Sequence, residues 1–131
     1  MDITGFIKRL LGIEVKPGEP EKLSDESFNE VITENSGLCF VHFYTLCNAS
    51  CQVMGGLLNE IGPNYIGDAK FYKMDIRDNP YTPQRLNITG VPAVVVFKDG
   101  KPAEALTKLV PLNQLSEWIE KNIRNLNSVD S

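Results

Sequence analysis

No stretch of this sequence approaches the roughly 18 consecutive apolar residues that a membrane-spanning helix needs, so no transmembrane segment is expected. Positive charge is also in short supply. Thirteen Lys and Arg against 17 Asp and Glu leave a formal net charge of -4, with no basic stripe to neutralise phosphates, and no nucleic-acid partner is expected. Cysteine is scarce and odd in number. Three thiols do not make a disulfide scaffold, and in a reducing compartment a close pair of them points instead to catalysis or to a metal. The N-terminus does not read as a secretory signal, because Asp2, Lys8 and Arg9 interrupt its apolar positions, and a cytoplasmic location is expected. What remains is a chain of 131 residues, 42% hydrophobic and 23% charged, a balance that suits one folded domain able to bury roughly two-thirds of its surface.

Two of the thiols lie four residues apart in Cys47-Asn48-Ala49-Ser50-Cys51. Ahead of them, Gly37 to Tyr44 is rich in β-branched and aromatic residues and reads as a buried strand. Behind them, Met54, Leu57, Leu58 and Ile61 recur at helical spacing, predicting a helix over about 49–61. The pair therefore sits where a strand hands over to a helix, and the partial positive charge of a helix N-terminus favours a thiolate, the species that carries out disulfide exchange. Two readings of the spacing stay open. If the chain already turns at Cys47, the Cα atoms of residues 47 and 51 lie about 6 Å apart, inside the window for a disulfide. If Asn48 is the N-cap, for which asparagine is well suited, Cys47 stands outside the helix and Cys51 is a buried first-turn residue.

The remaining elements follow from pattern and punctuation. Ile3, Phe6, Ile7, Leu10 and Leu11 form one apolar stripe, so residues 1–22 read as a short amphipathic helix followed by a Pro17, Gly18 and Pro20 linker. That helix either packs on its own domain or docks on a partner or an anionic surface through a face carrying Lys8 and Arg9. A domain over residues 23–127 and a loose tail over 128–131 complete the division. Ser24 is the expected cap of a helix carrying Phe28, Val31 and Ile32. Lys70 to Asp75 is a strand, Asn79-Pro80 opens a short helix to about Leu86, and Ala93 to Phe97 is an apolar strand. Asp99-Gly100 signals a hairpin joining it to a strand over Ala103 to Leu109. The last helix is expected over about Leu112 to Leu126, with Leu115, Trp118, Ile119 and Ile123 inward. Gly55-Gly56 inside the second helix implies a bend or close packing, and no clear strand precedes residue 23. Strands alternating with helices and ending in a hairpin and a helix predict an α/β fold, a mixed sheet covered on both faces.

His42, the only histidine, is either a base near the thiols or a neutral core residue. Cys39 and His42 alternate to opposite faces of their strand, which argues against a zinc set and leaves Cys39 as a small core hydrophobe; no metal is expected.

From Leu23 to Ile123 the chain resembles the thioredoxin family. The resemblance rests on Leu23-Ser-Asp-Glu-Ser-Phe28, on Val41-His-Phe-Tyr44 before the cysteine loop, on Asp75-Ile76 with Asn79-Pro80, and on Gly90-Val91-Pro92 before Phe97-Lys98-Asp99-Gly100. It implies the thioredoxin fold and protein thiol–disulfide exchange in cell redox homeostasis, with no cofactor, protein thiol and disulfide clients, and an unidentified reductant. Aligned this way, Cys51 takes the place of the resolving cysteine, Asn48 that of the nucleophile, and Cys47 that of a usual tryptophan. His42 holds the place of a buried acid that moves protons, Lys73 that of a buried lysine beneath the site, and Val91-Pro92 that of the cis-proline segment that receives a client strand. Lys108-Leu109 departs from a usual glycine. The implied site is Cys47 attacking, Cys51 resolving, His42 shuttling protons and Val91-Pro92 holding the client. The alternative is a redox-inactive binding or assembly module of the same fold.

Overall fold

The computed structural model describes residues 16–127. The chain runs through β1 (Glu21–Lys22), α1 (Asp25–Phe28), a wider π-helical turn (Asn29–Thr33), β2 (Leu38–Tyr44) and α2 (Ala49–Ile61). A 3-10 turn (Gly62–Tyr65), β3 (Lys70–Asp75), α3 (Tyr81–Arg85), β4 (Ala93–Lys98), β5 (Lys101–Leu106) and α4 (Leu112–Asn127) follow. The strands form one sheet in the order β1-β3-β2-β4-β5, with β1 and β2 parallel to β3, and β4 antiparallel to both β2 and β5. This is the mixed α/β sheet, covered by helices on both faces, that the sequence predicts.

Strand alternation divides the core in two. On one face, Leu38 and Phe40 of β2 pack with Met54 and Leu58 of α2 and with Leu115 and Ile119 of α4. On the other, Cys39, Val41 and Phe43 pack with Phe28, Ile32 and Phe97. The helices begin where their caps allow. Ser24 accepts the Ser27 N–H at 3.2 Å, and its own N–H donates to Ser27 Oγ at 3.0 Å, a reciprocal cap. Asp25 ties α1 to α3 by accepting the N–H groups of Tyr81 and Thr82 at 3.1 and 2.8 Å. Burial pulls its carboxyl upward, but those hydrogen bonds and Arg85 outweigh it and hold the group below its ordinary value.

Four expectations need adjustment. A strand does precede residue 23: Glu21 and Lys22 pair with Tyr72 and Lys73 of β3. Two residues are too few to show alternation, and β3 supplies the template. Residues 16–20 are also more than a spacer, because Gly18 backs onto the 3-10 turn so closely that a Cβ on Gly62 would lie 2.2 Å from Gly18 O. The hairpin strand covers 101–106 rather than 103–109, because Asp99 and Gly100 both take positive φ and pairing resumes at once between Lys98 and Lys101. Helix α2 is continuous through Gly55-Gly56, and crowding does not account for either glycine: a Cβ on Gly55 would meet only His42 Cε1, at an ordinary 3.9 Å, and one on Gly56 nothing within 4 Å. The expected N-terminal helix and the tail from residue 128 lie outside the described residues.

Candidate active site

The cysteine loop leaves the C-terminal end of β2, the end of a parallel pair where open α/β sheets bind their ligands. Two connections fix it there. The Ile76 N–H donates to Tyr44 O at 3.0 Å, extending the β2–β3 pairing past the strand ends. Gln52 Nε2 donates to Leu46 O at 3.0 Å, tying the loop to the first turn of α2.

Asn48 is the N-cap. Its backbone is extended (φ -109°, ψ 118°), and its Oδ1 accepts the Cys51 N–H at 2.9 Å. Of the two readings the sequence left open, the structure takes the second: Cys47 precedes the helix and is exposed, whereas Cys51 is 2% exposed in its first turn. Both thiols are free. Residue 48 interrupts the helical geometry on which a four-residue bridge relies.

The two thiols have different surroundings. Cys51 lines a cavity of about 340 Å³ together with His42, Tyr44, Thr45, Gln52 and Lys73. His42 is buried on the α2 side of β2, and its Nε2 has no hydrogen-bond partner among the described residues. Burial, reinforced by the charge of Lys73, pushes its imidazole down to about 4, so it is neutral throughout the neutral pH range. Burial also raises the Tyr44 hydroxyl, with Asp75 and Asp78 adding to the effect. Cys47 is absent from that cavity. Its Sγ instead accepts an N–H from Arg77 at 3.4 Å, and the Arg77 main chain is held by its N–H donation to Asp75 Oδ1 at 3.0 Å.

Val91-Pro92 lies at the same end of the sheet. Phe43 pairs with Ala93 in the antiparallel β2–β4 register, which puts the two preceding residues beside the start of the cysteine loop. The Val91–Pro92 bond is cis, Val91 is half-buried and Pro92 buried. The structure thus gathers His42, Cys51 and Lys73 around one cavity, leaves Cys47 outside it, and sets Val91-Pro92 at the adjoining strand end. Cys39 faces the opposite core, where burial pushes its thiol up to about 11 despite Lys70. Among the described residues, no group of three or more His, Cys, Asp or Glu is arranged to hold a metal ion.

Arg77 is the site residue that inspection of the sequence missed. Its signal was available: Asp75-Ile76 closes a strand parallel to β2, so residue 77 has to emerge beside the loop that follows Tyr44.

The family model for thioredoxin matches residues 19–121. The chain belongs to the thioredoxin family. Thioredoxin of Staphylococcus saprophyticus is 31% identical over 102 residues, covering 78% of this chain and 96% of that protein. Thioredoxin of Staphylococcus haemolyticus is 30% identical over the same shares. Among solved structures, a mutant thioredoxin from Halobacterium salinarum superposes with a TM-score of 0.72 over 82% of this chain and 94% of its own, at 23% identity, a likeness of fold. Membership makes this chain a thioredoxin-like thiol–disulfide oxidoreductase, a class whose substrates are protein thiols and disulfides. No helix among the described residues is long and apolar enough to cross a membrane.

Proposed function

We propose that the exchange runs through an exposed attacking thiol, Cys47, and a buried resolving thiol, Cys51. The observation that carries this reading is the Arg77–Cys47 contact at 3.4 Å, since an exposed cysteine beside a cation is the kind that reacts. In the forward direction the Cys47 thiolate attacks one sulfur of a client disulfide. A Cys47–client S–S bond forms, the client S–S bond breaks, and the departing client sulfur takes up a proton. The Cys51 thiolate then attacks the Cys47 sulfur: a Cys47–Cys51 bond forms, the Cys47–client bond breaks, and the second client sulfur leaves and takes up a proton, so the client is reduced by two electrons and the cysteine pair oxidised by two. A thiol reductant returns both cysteines to the reduced state.

In this mechanism Cys51 must give up its proton inside the cavity, where His42 relays it outward without retaining it, since burial and Lys73 disfavour the imidazolium. Closing the 47–51 bridge requires the chain to wind one step further at Asn48. Val91-Pro92 holds the client strand. The working location is cytoplasmic, and the N-terminal segment is a docking element on a folded domain that follows the linker.

The second reading, a binding module without exchange activity, is favoured by one observation: Asn48 occupies the N-cap in place of a thiol. Trapping separates the two. A peptide disulfide mixed with the Cys51→Ser variant should accumulate a mixed disulfide through Cys47, and Cys47→Ser should abolish turnover with dithiothreitol as reductant. Turnover by Cys47→Ser at the wild-type rate would rule out Cys47 as the attacking thiol.

A further inference from the structure

Arg77 is exposed and has five N–H donors on its guanidinium, of which one is engaged among the described residues, on Cys47 Sγ. No carboxylate lies within ion-pair distance of it among the described residues. Its acidic neighbour Asp75 accepts the Arg77 main-chain N–H rather than the guanidinium, while Asp75 and Asp78 both bear on the Tyr44 hydroxyl. A free, planar, bidentate donor set therefore stands at the sulfur where the client would be joined, in a chain whose formal net charge is -4.

We propose that Arg77 is a specificity-determining residue for the exchange reaction, selecting polypeptide disulfides that carry Asp or Glu beside the attacked cysteine. The proposal rests on the exchange reading above. The Cα atoms joined by a disulfide lie about 4.4–6.8 Å apart, so in the Cys47–client species the residues flanking the client cysteine come within reach of the guanidinium. A carboxylate there pairs with the free fork in the geometry arginine favours. The chain's formal net charge of -4 gives such a client no general attraction, so the preference has to come from the pairing at the reacting sulfur. Leu46, 66% exposed and next to Cys47, offers the apolar flank of the same contact.

The test uses the full chain and three peptide disulfides that differ only in having Asp, Asn or Lys beside the attacked cysteine. The readout is the initial rate of mixed-disulfide formation at Cys47, with Cys51→Ser in every variant so that the adduct is not resolved. With Arg77 in place at low salt, the Asp peptide should react about two- to fivefold faster than the Asn peptide, the range of an exposed ion pair, and added salt should compress the ratio. Arg77→Ala should bring the ratio close to one, Arg77→Glu should invert it, and Arg77→Lys should retain most of it. A residue that merely supported the loop would change all three rates together and leave the ratio in place. Equal rates for the three peptides, with Cys47 still forming mixed disulfides, would overturn the specificity assignment and leave the exchange reading intact. Absence of any adduct at Cys47 would overturn both.

Discussion

His42 on β2 and Lys73 on β3 are register partners across the parallel pair, and both line the cavity that holds Cys51. A protonated imidazole there would lack hydration and face a second cation, which is why its proton is lost at about 4 instead of ~6.5 as in the unfolded chain. Between these values the unfolded state binds more protons, so acid favours unfolding. The contribution of His42 is fully present above pH ~6.5 and is withdrawn as the pH falls through that window, by about 3 kcal/mol in all. Urea denaturation of the wild type and of His42→Leu, at several pH values across the window, checks this. The wild type should lose stability more steeply. Parallel pH dependences would return the imidazole to an ordinary solvated value.

The three thiols should label in a fixed order. Cys47 is exposed, Cys51 is closed off by the cap and the cavity, and Cys39 lies in the far core with its thiol raised to about 11. Iodoacetamide should modify Cys47 first, Cys51 slowly through local opening, and Cys39 only on unfolding, because the reagent attacks the thiolate. Mild oxidation that consumed Cys39 before Cys51 would contradict the division of the core that places it there.

Much of this was legible in the sequence because the elements carry strong periodic or punctuation signals. Leu115 and Ile119 mark the inner face of α4, Asp99-Gly100 marks the hairpin, and the β-branched and aromatic run of Gly37 to Tyr44 marks a buried strand. β1 was not legible, since Glu21 and Lys22 are polar and exposed and are strand only because β3 offers them an edge. At the site, the identities of Asn48 and His42 named the possibilities but could not choose among them. The choice depends on backbone angles at residue 48 and on what surrounds residue 42, which are tertiary facts. Arg77 escaped notice because its partner is 30 residues away and an exposed arginine ordinarily signals nothing.

Two glycines should respond to the same substitution with opposite signs. Gly56 is exposed within α2 and a Cβ there would meet nothing within 4 Å, so Gly56→Ala should stabilise by about 0.5–1 kcal/mol through helix propensity. Gly62 supports Gly18, and a Cβ would lie 2.2 Å from the Gly18 carbonyl oxygen. Gly62→Ala should cost about 1–3 kcal/mol, because backbone has to move to admit the methyl group. Thermal unfolding of both variants decides the matter, and a neutral Gly62→Ala would show that residues 16–20 do not hold to the 3-10 turn.

Under the proposed mechanism Asn48 sets stability against reactivity, because one side chain satisfies the start of α2 and at the same time keeps a thiol out of the N-cap position. Its Oδ1 accepts the Cys51 N–H at 2.9 Å, a cap whose loss costs about 0.5–2 kcal/mol. Asn48→Ala should therefore lower Tm by a few degrees and leave exchange unimproved. Asn48→Ser should keep the cap and the stability, again without a gain in activity. Asn48→Cys should lose the cap and the same few degrees, yet raise disulfide reductase turnover well above the wild type, since a thiol at the N-cap gains the helix-terminal amides that Cys47, one residue outside, does not face. Turnover by Asn48→Cys no faster than the wild type, with the fold intact, would mean that the missing thiol is not what limits this site.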